Sequence, residues 1–424
     1  MRLDIDGRNC ELESGRSILD AVKKEGLDSI MLSDRPLAAQ IGGEVFNLRF
    51  TPKKDTQIHL LRYGEDMGRR VYERTLQFLL ILAMRKEFPR ARVCVRYSLG
   101  PGLFITVDGM EEPFNEEAAL KVETEMRRLV RLKLPLERRR ISIKEALSFY
   151  EQDGQADKAK LLKWRRFSYF DVYQIDGYMD YFYGEMAPDT SYADVFRVKY
   201  VHDGAVVLLM PRSDAPDVPS DYVDLPKLHA VFHQSDEWGK LMECATVNDL
   251  NTHIQNGTIR ELVRINEALH DRGYADIADK IVQKGAKAVL VAGPSSSGKT
   301  TSAHRISTQL RLQGCHPVML SLDDYYIDRD KIERDENGEI DLENINTLDI
   351  QRFGSDLAAL IRGEKVEVPR FDFTNGKRAP EGRILQLHDD EPVIIEGIHG
   401  LNAAKPRGGR KQDIQDIRKR PDYT

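Results

Sequence analysis

The chain is poor in cysteine: Cys10, Cys94, Cys244 and Cys315 are scattered over 424 residues with no CxxC among them. That spacing excludes a zinc ribbon and a disulfide framework, and isolated thiols fit a reducing compartment. A signal-peptide core is lacking, because the N-terminus reads MRLDIDGRN, with charges where an apolar stretch is needed. No apolar run is long enough to span a bilayer; the longest, residues 76–84, is interrupted by Gln77. A cytoplasmic protein with no membrane partner is therefore expected. Positive charge is not in surplus either: 63 Lys and Arg against 69 Asp and Glu leave a net charge of −6, which excludes a chain that binds nucleic acid by bulk charge. Internal repeats and low-complexity tracts are also lacking, so a composition of 41% hydrophobic and 31% charged residues reads as several globular domains.

What is present is a phosphate-binding loop. Gly293-Pro294-Ser295-Ser296-Ser297-Gly298-Lys299-Thr300 matches G-x-x-x-x-G-K-[ST], with Thr301 next in the chain. The apolar run AVLVA feeds it and the helical segment TSAHRISTQLRLQG follows, the strand–loop–helix context that a phosphate loop requires. Glycines let the backbone curl until successive N–H groups face a phosphate, and the helix N-terminus adds partial positive charge. Lys299 is placed to reach the β- and γ-phosphates and the Thr300 hydroxyl to sit on Mg²⁺.

Further along, PVMLSL reads as a strand with Asp323 and Asp324 at its C-terminal end, where ligands bind in open α/β sheets. Asp323 is the candidate base for a substrate hydroxyl; Asp324 is the second candidate, with a helix cap or solvated turn as its structural alternative. PVIIEG is another buried strand that ends in an acid, Glu396, placed to hold Mg²⁺ or a water network.

The phrases GPSSSGKTT, SLDDYY, EVPRFDFTNGKR and VIIEGIHGL, in that order between residues 284 and 401, resemble uridine kinases and the wider uridine kinase/phosphoribulokinase family. The resemblance implies an α/β P-loop kinase domain that uses ATP and Mg²⁺ to phosphorylate the 5′-hydroxyl of a nucleoside. It implies Gly293 to Thr301 on the ATP phosphates, Lys299 and Asp323 as catalytic groups, and Thr300 and Glu396 on the metal. It also implies Tyr326, Glu343, Phe371, Phe373 and Arg378 at the acceptor, although alternating aromatics such as Phe371 and Phe373 can equally be core. Two departures stand out. Gly376 occupies the position where uridine kinases carry a histidine that reads the pyrimidine edge. Beyond Leu401 the sequence NAAKPRGGRKQDIQDIRKRPDYT offers no strand and no helical face, so a shortened domain with an incomplete parallel sheet is expected, one that keeps ATP binding with weak or no turnover.

The front of the chain resembles a different family. Residues 1–62 form a β-grasp pattern similar to the TGS domain of threonyl-tRNA synthetases. Residues 63–213 resemble the second additional domain of those synthetases in layout and in the phrase DYFYGEMAP, giving an α+β editing-like fold. Long helices are expected over residues 66–88 and 115–133, and strands at RVCVRYS, LFITVD, FRVKY and AVVLLM, the last two joined at Asp203-Gly204. The editing histidines are missing from the first helix, GRRVYERTLQF, and Phe182 and Met186 stand at the aligned cysteine and histidine positions. Neither side chain can run metal or base chemistry, so a fold without editing is expected. Residues 214–283 read as a linker, SDAPDVPSD, followed by helices over IRELVRINEAL and YADIADKIVQK, and residues 284–424 as the kinase domain.

Two weaker signals remain. His229 and His233 form an HxxxH lacking the glutamate of the zincin pattern. The basic runs at 127–133 and 138–140, and the stretch 163–167, where Trp164 and Phe167 interleave with the charges, could meet RNA phosphates and bases or could be solvated faces paired with glutamates. A small-molecule acceptor is thus the expected partner and RNA is not favoured. The alternative is a non-catalytic ATP- and RNA-binding protein. Nothing in the sequence indicates an oligomeric state.

Overall fold

Alternation decides the first sheet. On β1 (Arg2–Ile5), Leu3 and Ile5 are buried while Arg2 faces solvent, as a half-buried strand requires. A computed structural model describes residues 1–202, 204–334, 338, 340–389 and 391–401 of the chain. It divides into two compact units, residues 1–255 and 256–424, each described by itself below.

In the first unit β1 pairs antiparallel with β2 (Arg8–Glu11), and α1 (Ile18–Lys24) follows. Its start is fixed by a capping box in which Ser17 and Asp20 satisfy each other's backbone N–H groups. After β3 (Ala38–Ile41), β4 (Glu44–Phe46) and β5 (Thr56–Leu61), β5 returns parallel to β1, giving the order β2-β1-β5-β3-β4. Arg35, only 7% exposed, ties the loop before β3 to later chain: its guanidinium donates to Asp194 at 2.8 and 3.0 Å, to the Tyr192 carbonyl at 3.2 Å and to the Ser29 carbonyl at 3.1 Å.

The expected long helices are α2 (Asp66–Glu87) and α3 (Glu116–Leu132), the latter capped by the Asn115 side chain. Between them β6 (Arg92–Leu99) and β7 (Gly102–Asp108) form a hairpin. A second layer follows: β8 (Glu137–Ser142), α4 (Ile143–Gln152), α5 (Ala156–Leu162), β9 (Tyr169–Ile175) and β10 (Tyr178–Asp180), with sheet order β10-β9-β8. β11 (Arg197–His202) and β12 (Ala205–Leu209) complete the sheet β11-β12-β7-β6; Asp203 of their connection lies outside the described residues. The segment expected as a linker contains a strand: β14 (Ala215–Pro219) pairs with β13 (Pro211–Arg212). A two-stranded edge tolerates proline, whose missing N–H would break a central ladder. Helices α6 (Pro226–Leu241) and α7 (Val247–Asn256) follow.

In the second unit the two expected helices are one, α8 (Ile259–Lys284), which runs through Gly273 and ends at the left-handed Gly285. A glycine inside a helix costs only about 1 kcal/mol, and one helix runs through it, with Leu262 buried before it and Ala278 and Ile281 after it; Val263 and Ile265 are exposed. The parallel sheet has the order β15-β21-β16, formed by β15 (Ala288–Val291), β16 (Val318–Ser321) and β21 (Val393–Glu396). Central β21 is buried along its length. Ile394 packs with α8 and with α9 (Lys299–Leu312), while Val393 and Ile395 pack on the opposite side with α10 (Ile350–Ile361). Near α10 lie the hairpins of β17 (Val366–Val368) with β20 (Arg383–Leu385) and of β18 (Phe371–Asp372) with β19 (Lys377–Arg378). The sequence after Leu401, expected to lack structure elements, lies outside the described residues. Among the described residues no helix is long and apolar enough to cross a membrane.

Candidate active site

The three parallel strands end side by side, and each end carries a candidate group. β15 runs into the phosphate loop, β21 ends at Glu396, and β16 ends at Ser321, directly opposite Glu396 in register. The loop turns into α9 at Gly298, which has φ +84°, a left-handed conformation that glycine adopts without strain. Ser296 is also left-handed, at φ 59°. No side chain caps the start of α9, so its first N–H groups point out of the helix end without intrahelical partners. The Lys299 ammonium folds back over the loop and donates to the Pro294 carbonyl at 2.7 Å, a short swing from any phosphate seated in the loop. Residues 294–298 and Thr300 are exposed.

Glu396 is 7% exposed, and both of its oxygens are engaged: Ser321 Oγ donates to one at 2.7 Å and Thr300 Oγ1 to the other at 3.3 Å. The Thr300–Glu396 pair expected for Mg²⁺ is thus adjacent. Asp323 lies two residues past Ser321 in a 3₁₀ segment, Leu322–Tyr325, and its N–H donates to Ser321 Oγ at 3.3 Å. Burial pushes the Asp323 carboxyl above its ordinary range, the Glu396 carboxylate adds to this, and Lys299 opposes it. Two neighbouring carboxylates half out of water repel one another, and a cation between them would relieve that repulsion. Among the described residues no group of three or more His, Cys, Asp or Glu side chains could hold a metal ion. Mg²⁺ needs no such cage, since it keeps waters and takes one or two carboxylates plus substrate phosphates; the residues present fit it. Asp324 is raised by burial, but the Phe371 N–H donates to it at 3.4 Å and Arg383 and Arg370 lie near, which gives it a positioning role for the β18 segment.

Next to Asp323, Tyr326, Phe371 and Phe373 form a trio with ring centroids 5.1 to 6.1 Å apart. Phe373 is 52% exposed, so the pair is not core. Burial raises the Tyr326 phenol, with Asp323 and Glu343 as its charged neighbours. Glu343 itself is exposed. Arg378 is committed within the fold: it donates to the Tyr326 carbonyl at 3.1 Å and to Asp349 at 3.0 Å, holding the Tyr325–Tyr326 turn. Gly376 closes the β18–β19 turn at φ +65°, and a Cβ there would stand 2.5 Å from Arg329 Cδ. Ser321 was not singled out in the sequence, and neither was His399, one of the charges acting on Asp323; cross-strand register brings Ser321 to Glu396, and His399 follows Glu396 by three residues in the chain.

The other sequence signals fall elsewhere. In the first unit Phe182 packs on Phe78, with centroids 5.3 Å apart, and Met186 is fully buried. His229 accepts or donates at Nδ1 with the Tyr97 hydroxyl at 2.7 Å and lies beside His202 and His233. Much of the basic surface is paired: Arg127 with Glu123, Arg128 with Glu125, and Arg138 and Arg140 with Asp171.

Comparison with known proteins divides the chain the same way. Residues 288–411 match the model of the phosphoribulokinase/uridine kinase family. The N-terminal region is similar to threonine–tRNA ligases. That of Clostridium kluyveri is 25% identical over 194 residues, 46% of this chain and 30% of the relative. That of Acetivibrio thermocellus is 29% identical over 160 residues, 37% of this chain and 24% of the relative. The chain therefore spans less than a third of the length of these relatives. A solved structure described as a "Possible Uridine Kinase" from Bacillus stearothermophilus is 25% identical and covers 30% of this chain and 70% of that one, with a TM-score of 0.25.

Proposed function

We propose that the chain transfers the γ-phosphoryl group of ATP to the 5′-hydroxyl of a nucleoside, in the cytoplasm. The observation that carries this reading is the meeting of the phosphate loop, Glu396 and Asp323 at the C-terminal ends of three adjacent parallel strands, the place where open α/β sheets bind ligands. The N–H groups of the loop and of the start of α9 would hold the phosphates. Lys299 would leave the Pro294 carbonyl for the β/γ-oxygens. Asp323 would accept the hydroxyl proton, and its raised carboxyl brings it closer to the pH at which a general base works best. Thr300 and Glu396 would hold Mg²⁺, which would supply positive charge against the charge that develops on the phosphates. The Tyr326–Phe371–Phe373 trio offers ring faces to a base. With glycine at 376, no side chain there reads a pyrimidine edge, so acceptance of more than one base is part of the proposal.

Labelled ATP with Mg²⁺ and a panel of nucleosides tests it. Transfer to one or more nucleosides, lost in Lys299→Ala, is expected. ATP binding without transfer to any of them would refute the acceptor assignment.

A further inference from the structure

The N-terminal unit holds a pocket of about 400 Å³ that no part of the kinase reading uses. It opens beside α5, between Tyr150 of α4, Phe170 of β9 and Tyr181 after β10. Two polar atoms of its lining residues are buried without a hydrogen-bond partner, the Tyr150 hydroxyl and Arg165 Nε. Tyr150 is wholly buried. Burial pushes its phenol up and the nearby Asp180 carboxylate adds to this. Asp180 is its nearest candidate acceptor, but the two form no hydrogen bond of ordinary length and angle, and the Asp180 oxygens already accept from Lys158 at 2.6 and 2.7 Å, from the Tyr181 N–H at 2.8 Å and from the Tyr178 hydroxyl at 3.2 Å. Buried donors without acceptors are rare in folded chains and call for a specific explanation; in a pocket wall, a ligand that accepts from them supplies one.

The remaining walls say what that ligand is. Trp164 is pinned by its Nε1–H, which donates to Asn248 at 3.0 Å, and Tyr183 is 76% exposed. Tyr181 stands 5.3 Å from Phe170 and 5.7 Å from Tyr183, centroid to centroid. Ring faces held at the rim of a concavity favour a flat aromatic guest. The Arg165 guanidinium lies 4.9 Å from the Phe170 ring, and the Lys158 ammonium sits over the Tyr181 ring at 5.4 Å. Arg165, Lys158 and Tyr150 are all hydrogen-bond donors, and two of them are cationic. The volume suits a small molecule.

We infer that this pocket binds a small aromatic anion, with its ring against Trp164 and Tyr181 and its carboxylate or phosphate on Arg165 Nε and the Tyr150 hydroxyl. The test uses the full chain with Trp238→Phe, which leaves Trp164 as its single tryptophan, and with Lys299→Ala to weaken binding at the phosphate loop. Uridine 5′-monophosphate and 4-hydroxybenzoate are titrated separately while Trp164 fluorescence is read. Saturable quenching by the nucleotide alone assigns a phosphate ligand, by the benzoate alone a carboxylate ligand, and by both the shared chemistry. Arg165→Met should weaken binding about tenfold or more, since a charge-assisted bond is lost. Tyr150→Phe should weaken it about fivefold while the melting midpoint is unchanged or higher, because an unsatisfied hydroxyl is removed. No saturable quenching by either probe up to about 10 mM, or equal quenching in both variants, would overturn the inference. So would binding of a single-stranded RNA oligonucleotide with no binding of either small molecule. If Arg165→Met does not fold, Tyr150→Phe, which removes one oxygen, decides.

Discussion

Alanine at position 293 would place a methyl group where the phosphate loop has no space. An ideal Cβ there stands 2.7 Å from Ser297 Oγ, 3.5 Å from Ser297 Cβ and 3.6 Å from Lys299 Cγ. The last two are ordinary contacts. Gly293 is not in the left-handed region, so the penalty is steric and comes from one atom. Either the Ser297 hydroxyl turns away or the loop opens between 293 and 297. Overpacking of this kind costs about 1–3 kcal/mol. In the empty, exposed loop, opening relieves most of it, so the melting midpoint should hardly move. Around a bound triphosphate the loop has to close, and the cost then appears as a roughly 5- to 150-fold loss of affinity. Calorimetric titration with a non-hydrolysable ATP analogue measures this in Gly293→Ala, Ser297→Ala and the double variant. Because the short contact is with the Ser297 hydroxyl, Ser297→Ala should restore most of what Gly293→Ala loses, a coupling of about 1 kcal/mol or more. Strict additivity, or wild-type affinity in Gly293→Ala, would refute the reasoning. Gly298→Ala is the contrast: a Cβ there meets nothing within 4 Å, but φ is +84°, so its cost of about 1–2 kcal/mol is backbone strain and Ser297→Ala should not rescue it.

Asp323→Asn should reduce phosphoryl transfer by about 10²- to 10⁴-fold and raise the melting midpoint at neutral pH. Since the folded-state carboxyl is raised, native stability from this group is full below the ordinary Asp value and is lost as pH rises through the raised one; the gain in the variant should therefore vanish below about pH 4, as fluorimetric melts across pH would show. Arg35→Met should destabilise the N-terminal unit by about 3–5 kcal/mol, since Asp194 and several carbonyls lose a buried partner; a denaturant midpoint that does not move would contradict this. His59 is raised by hydrogen bonds to Glu65 and Asp6, so its contribution is full below the ordinary His value and fades as pH climbs through the raised one. Between about pH 6 and 8 the wild-type melting midpoint should fall relative to that of His59→Gln.

How much of this could be read in the sequence depended on how local the physics was. The phosphate loop is legible because its geometry is written in adjacent residues: glycine at the left-handed turn, an apolar strand before it, a helix after it. Asp323 and Glu396 are legible for the same reason, as acids closing apolar runs. Ser321 is not, because its importance lies in facing Glu396 across two strands far apart in sequence. The segment around Gly273 separates two helices in the sequence reading, yet a glycine's cost is small enough for one helix to run through it. Pro219 reads as linker, yet a proline at the end of an edge hairpin costs the ladder little. Arg378 reads as a substrate contact, while the structure commits it to Asp349 and the Tyr326 carbonyl. Charge alone did not reveal that commitment.

The packing of Phe182 and Met186 has a consequence for what these positions could hold. At these positions the resemblance to the synthetase domain assigns a cysteine and a histidine, and this chain has filled the space: the Phe182 ring lies against Phe78 and Met186 is wholly enclosed. Cysteine at 182 would leave a hole costing about 2–4 kcal/mol, and histidine at 186 would bury an imidazole that must find a partner or destabilise the core. Neither substitution makes a site alone, because ligands of one site work only as a set. Installing the pair one residue at a time would pass through variants that are less stable and still lack a complete site, so the packed core itself resists single substitutions toward such a site.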